Sequence, residues 1–225
     1  MGRWYALVPP RHPEERDDRR PREDTLLTHD VIVALAALGV AGQVLAGALV
    51  VAALLQLAGV RQPLDSIRSA IWGYELWLAF VVTAVATAGS LFFSEIAHFI
   101  PCELCWFQRI FMYPLAIVTL LAAIANDHRV ARYLLPLPVI GAGVAVYHLL
   151  VEHGVVEQTN ACLVSAPGGC AVKWINEFGY VTIPVLALTG FVLAFAFLLF
   201  AAIEAPAAAA GATDRTGGES YDAGA

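Results

Sequence analysis

Four cysteines are the scarce reactive groups of this 225-residue chain. Cys102 and Cys105 form a Cys-x-x-Cys in the stretch Pro101-Cys102-Glu103-Leu104-Cys105-Trp106. Cys162 and Cys170 bracket a short loop that contains Pro167, Gly168 and Gly169. Two cysteines three apart at a helix start can close a small, readily reduced ring, and the helix dipole there favours a thiolate. The second pair closes a flexible loop, which can present a disulfide to a partner. Thiol–disulfide exchange is the chemistry these spacings favour. Structural disulfides and a zinc site are the alternatives. Zinc knuckles usually pair two Cys-x-x-Cys turns, and the seven-residue gap between Cys162 and Cys170 fits that poorly. No metal ligand is therefore assigned. Attachment of c-type haem needs a histidine after the second cysteine, where Trp106 stands.

Arg109 adds to the reactive set. On a helix, Cys102, Cys105 and Arg109 fall at i, i+3 and i+7, on one stripe. A cation near a helix N-terminus is opposed by the dipole and is costly near lipid. It is either an anchor reaching the headgroups or a guanidinium that stabilises a thiolate and an anionic acceptor beside it. For a dithiol in a bilayer, the simplest two-electron acceptor is a lipid-soluble quinone.

The elements that must carry these groups are set by composition. The chain is 59% hydrophobic and 14% charged, with a mean hydropathy of +0.70, whereas soluble domains carry about 25% charged residues. That balance excludes a soluble fold and a basic nucleic-acid-binding surface. Helical spans of about 20 apolar residues cross a bilayer, and five stretches qualify: 31–58, 72–93, from the first cysteine pair to 124, 133–151 and 181–203. The runs are continuously apolar rather than alternating, so an all-α membrane protein is expected, not a barrel. The first stretch starts too late and is too long for a cleaved signal peptide. Residues 1–30 carry six acidic residues and five arginines between Arg11 and Asp24. They read as a disordered tail, as does the Ala/Gly-rich segment 204–225.

Short loops rich in Lys and Arg remain cytoplasmic. Arg61 and Arg68 precede the second span, and Arg129 and Arg132 lie between the third and fourth. These two links share one side, so all four cysteines face the other, extracytoplasmic side, where disulfides persist. The arginine-bearing N-terminal tail falls on the cysteine side too, against the same rule.

The stretch Pro101-Cys102-Glu103-Leu104-Cys105-Trp106-Phe107-Gln108-Arg109-Ile110-Phe111-Met112-Tyr113-Pro114-Leu115 closely resembles the DsbB/BdbC family of membrane thiol oxidases. Phe178-Gly179-Tyr180-Val181-Thr182-Ile183-Pro184 resembles that family's entry into its last helix. The resemblance covers roughly residues 72–203 and implies a four-helix transmembrane bundle, to which segment 31–58 adds one N-terminal helix. It implies that Cys102 and Cys105 are the quinone-proximal redox-active disulfide and Arg109 the arginine near the quinone (ubiquinone or menaquinone). It further implies that Cys162 and Cys170 are the pair that exchanges with a DsbA-like thioredoxin-fold oxidase. The compact second loop places the chain nearer the BdbC-like branch. A bacterial inner-membrane location follows, with lipid as the other partner and no nucleic acid.

Two histidines end the fourth span. His153 is placed more like the family's quinone-side histidine, and His148 is the weaker candidate. Trp106 reads as an interfacial residue that also walls the quinone site, while Trp72, Trp77 and Trp174 read as belt residues. His98 and Glu103 flank the reactive pair as interface residues. The rival functions are a vitamin K epoxide reductase-like quinone reductase and a non-enzymatic membrane protein with structural disulfides.

Overall fold

The computed structural model describes the backbone of residues 20–60 and 62–216, with side chains over 27–60 and 62–203. Among the described residues the regular elements are helices: α1 (Arg20–Leu57), α2 (Gln62–Ile71), α3 (Glu75–Leu91), α4 (Glu103–Ala125), α5 (Arg129–Leu134), α6 (Pro136–Glu152), α7 (Asn160–Ser165) and α8 (Ile183–Thr216). Five segments are long and apolar enough to cross a membrane: Leu27–Leu57, Glu75–Ile96, Glu103–Ala125, Arg129–Glu152 and Ile183–Ile203. The protein is an all-α membrane protein, as its composition requires.

The expected tails differ from the structure at their inner edges. α1 begins at Arg20 rather than 31, and α8 continues to Thr216. The alanine run after Pro206 has high helix propensity. Residues 1–19 and 217–225 lie outside the described part.

Consecutive spans run antiparallel, so the α3–α4 turn and the α6–α8 connection meet at one end of the bundle. α8 is the central post, packed against α1, α3, α5 and α6, while α4 packs on α3 and α6. In lipid no hydrophobic force drives helices together, so small residues and buried hydrogen bonds set the packing. Ala79, Ala145, Ala194 and Ala201 are fully buried. Gly141 lets the Phe191 ring lie directly on α6. Thr83 on α3 and Thr119 on α4 share a hydrogen bond of 3.2 Å between buried hydroxyls. Each hydroxyl also bonds its own helix's carbonyls, so neither is left unpaired in lipid. α2 is amphipathic: Leu64, Ile67 and Ile71 pack against the core, as suits a short helix lying along the interface.

α3 does not end cleanly. A π turn over Phe92–Ile96 follows it, and His98 then takes a left-handed φ of 56°. This reversal delivers Pro101 and Cys102 to the start of α4.

Candidate functional site

Cys102 is the N-cap of α4, and its sulfur accepts the Cys105 backbone N–H at 3.4 Å. The two Sγ atoms are unbonded and 3.0 Å apart. The pair nevertheless faces two surroundings. Cys102 is buried in a cluster with Cys162, Cys170, Leu104, Val151 and Ala166. Cys105 is half-buried and packs against the same cluster, but it also lines an apolar cavity of about 380 Å³, along with Arg109 and without Cys102. The expected common stripe therefore holds for Cys105 and Arg109, while Cys102, as the cap before the first helical turn, points elsewhere.

On the Cys102 side stands His148, from the last turns of α6, 3% exposed. Its Nε2 lies 3.7 Å from Cys102 Sγ and 3.0 Å from the Cys170 carbonyl oxygen. Its Nδ1 meets Gln108 Nε2 at 3.2 Å. An amide nitrogen only donates and a carbonyl oxygen only accepts. Both constraints give the same tautomer, with the proton on Nε2, where it faces the Cys170 carbonyl and the Cys102 sulfur. The Cys102 thiol is drawn from its usual 9.0 down to about 4, chiefly by the hydrogen bond from the Cys105 thiol; His148 adds to this and burial opposes it.

The second pair is joined as a disulfide, Cys162–Cys170, and each cysteine is only 1% exposed. The expected flexible, partner-presenting loop is instead a packed one. Thr159 caps α7 through the Cys162 N–H. Gln158 Oε1 accepts the N–H groups of Cys170 at 2.8 Å and Ala171 at 3.3 Å. Ser165 Oγ accepts the Glu103 N–H at 3.1 Å, which ties α7 to the start of α4. Gly168 and Gly169 supply the left-handed turn, with φ of 82° and 73°, that α-helical backbone could not make.

On the Cys105 side, Arg109 is held by one residue of α3. Its Nε donates to Ser90 Oγ and its Nη2 to the Ser90 carbonyl, both at 3.0 Å, and Tyr113 Oη donates to the same hydroxyl at 3.3 Å. A π turn begins two residues later, and π turns within helices recur at functional sites. A guanidinium has five N–H donors, so those spent on Ser90 leave others for the cavity that Arg109 lines.

Other expected site residues are placed differently. Trp106 is 54% exposed and lies 5.2 Å from the Arg109 Cζ; it covers the guanidinium from outside and does not line the cavity. Trp174, read from the sequence as a belt residue, lines the cavity instead and stacks on Phe99 at 5.2 Å. His153 is not brought to the site. It terminates α6, exposed, with Nδ1 bonded to its own Leu149 carbonyl at 2.8 Å. The five-residue offset between the two histidines is nearly one and a half turns, so they leave α6 on different sides, and His148 has the inward one. Gln108, Gln158 and Ser90 were not singled out from the sequence. Gln108 had a readable signal, a polar side chain within an apolar span and one residue from Arg109.

Cys102, Cys105 and His148 bring three potential metal-ligand atoms within 4.8 Å of one another. Two thiolates on one zinc sit about 3.8 Å apart, farther than the 3.0 Å found here. Among the described residues no fourth ligand completes this group.

Fold and site together define a multi-pass helical membrane protein in which a dithiol pair and a disulfide share one buried cluster. Residues 74–203 match the family model described as disulfide bond formation protein DsbB, more than half of the chain, and the protein belongs to that family. It is 46% identical over 132 residues to a probable disulfide formation protein of Deinococcus radiodurans, covering 55% of this chain and 85% of the relative. It is 44% identical over 124 residues to disulfide bond formation protein C of Bacillus subtilis, covering 55% and 88%. Over 119 residues it is 40% identical to a probable disulfide formation protein of Metapseudomonas resinovorans, covering 52% and 82%. No solved structure matches the chain significantly. A role in disulfide bond formation, through redox-active cysteines, follows from the family.

Proposed function

We propose that the protein is a protein-dithiol:quinone oxidoreductase of the bacterial inner membrane. It reoxidises an extracytoplasmic, DsbA-like thioredoxin-fold oxidase and passes the electrons to ubiquinone or menaquinone. One observation carries this reading: Cys102 and Cys105 both pack in the cluster of the second cysteine pair, and Cys105 also lines an apolar cavity with a polar end. A dithiol that touches both a disulfide and an apolar cavity suits electron transfer between a protein thiol and a lipid-soluble acceptor.

The cavity fits such an acceptor. Its lining is mostly apolar apart from Thr189 and the group of Cys105, Gln108, Arg109, Ser90 and Tyr113, and that group offers donors to a carbonyl-bearing ring. A quinone there supplies a sink for two electrons and two protons. The remaining steps belong to the chain. A thiolate of the reduced partner attacks the Cys162–Cys170 disulfide, and the partner's second thiol resolves the mixed disulfide. The partner leaves oxidised, and Cys162 and Cys170 hold the dithiol. That dithiol reduces the Cys102–Cys105 disulfide by a second exchange, in which the His148 N–H is placed to hold Cys102 as the leaving thiolate. Cys105, beside Arg109, then gives up the electron pair on the cavity side, and the Cys102–Cys105 disulfide re-forms. Each turnover thus converts one partner dithiol to a disulfide and one quinone to a quinol.

Purified protein in a lipid nanodisc, given reduced thioredoxin-fold oxidase, should bleach quinone absorbance in proportion to partner oxidised. Cys105→Ser should abolish that turnover; continued quinone reduction by Cys105→Ser would sink the mechanism. Stoichiometric metal in reduced, purified protein would point instead to metal binding at Cys102, Cys105 and His148.

A further inference from the structure

α1 lies outside the stretch that matches the family, yet it builds part of the cavity at Cys105. Leu35, Leu38, Gly42 and Leu45 recur at helical spacing on one face, and all line it. Contacts on either side hold this face at a fixed stand-off. Towards α8, Gly39 and Gly42 bring the helices so close that a Cβ at Gly39 would collide with Leu186, and one at Gly42 would come within 3.1 Å of Thr189. Towards α3, Leu35 packs over Gly89, where an added Cβ would lie 3.6 Å from its methyls. Between these contacts the wall stays open. Leu38 on α1 is 53% exposed, and Val81 and Val85 on α3 are 51% and 38% exposed, although all three line the cavity. The mouth thus lies between α1 and α3, at span depth, where lipid surrounds the protein.

The space has one polar end, at Cys105, Gln108, Arg109, Ser90 and Tyr113, and apart from Thr189, whose hydroxyl bonds its own helix, the rest is mostly apolar. That shape suits a molecule with a polar, reducible head and a long apolar tail. We propose that α1 forms one wall of a channel for the apolar tail of a lipid-soluble quinone, with Leu38 and Leu45 setting which tails it accepts. The inference rests on the quinone reading above and adds an element outside the family-matched core. α3, α4 and α8 position the head, and α1 encloses the tail on the side that would otherwise face lipid.

The test compares a long-tailed quinone with one carrying a single isoprene unit, using the full chain in nanodiscs. Leu38→Trp fills the channel from the α1 side. It should raise the KM ratio of long-tailed to short-tailed quinone about tenfold, as loss of a few methylene contacts does in an apolar pocket. An unchanged ratio, with both quinones still reduced, would overturn the role of α1 while leaving the acceptor reading intact. Failure of the unaltered protein to reduce either quinone would overturn both. A second measurement does not depend on a variant folding. A long-tailed quinone with a photoreactive group at the tail end should label the peptide containing Leu38 and Leu45, and excess unlabelled long-tailed quinone should suppress that labelling. Labelling confined to α3 and α8, or undiminished by competitor, would count against the channel.

Discussion

His148 offers the same ring nitrogen to the Cys102 sulfur and the Cys170 carbonyl, so a single N–H senses both cysteine pairs. Replacing it with alanine removes a hydrogen bond to a charged group, worth about 1.5–3 kcal/mol, or roughly one to two pKa units. Because the Cys102 thiol is lowered to about 4, the anion is the form favoured over the whole range between that value and 9.0. In reduced protein lacking Cys162 and Cys170, thiolate absorbance should therefore persist as pH falls and disappear only near pH 4. In His148→Ala it should disappear at higher pH, and transfer between the pairs should slow; superimposable titrations would reduce His148 to a packing residue. A stabilised thiolate also makes the corresponding disulfide more oxidising, the sense required of a protein that makes disulfides in others. Arg109→Ala, by contrast, should act on the cavity side. The KM for quinone should rise about tenfold, as expected for losing a charge-assisted donor, with partner oxidation at saturating quinone less affected. Equal losses in both would return Arg109 to the role of anchor.

Among the elements, the spans were legible because lipid imposes a length and a composition that few sequences meet by accident. The Cys-x-x-Cys was legible because its chemistry depends on spacing within one helical turn. What could not be read was phase. His148 and His153 lie in one apolar stretch, and nothing local says which of them turns inward until α6 is packed against α4 and α8. Trp174 and Trp106 exchanged roles for the same reason. The second cysteine loop was read as flexible from Pro167, Gly168 and Gly169, whereas those glycines make a specific turn whose N–H groups Gln158 secures. With both sulfurs of Cys162 and Cys170 buried, an incoming thiolate must first displace this loop. Gln158→Ala leaves two N–H groups without their acceptor and should ease that opening. Loss of about 1 kcal/mol raises the open population about fivefold. Reduction of Cys162–Cys170 by the partner oxidase should accelerate by a similar factor, read as the rate of mixed-disulfide formation with a resolving-cysteine variant of the partner. An unchanged rate would mean that the partner reaches the sulfur without moving the loop.

For the whole molecule, the packing of α1 bears on the one conflict the charge pattern left. Ile32 joins Phe93 and Ile175 in a buried cluster, and Gly39 faces Leu186 while Gly42 faces Thr189 and Leu193. α1 therefore descends alongside α8 in the same direction, and its N-terminal end lies at the cysteine end of the bundle. The loops carrying Arg68, Arg129 and Arg132 lie at the opposite end, where the positive-inside rule places the cytoplasm. We propose that these two basic links mark the cytoplasmic end, against the arginines near the N-terminus, which the same rule would hold inside. In intact spheroplasts, a membrane-impermeant protease should remove an N-terminal epitope tag. A cysteine introduced as Asp127→Cys, in a background lacking the native four, should react with an impermeant maleimide only after lysis. Labelling of that cysteine in intact cells would invert the bundle and place the thiol chemistry in a reducing compartment, where this protein could not oxidise a partner.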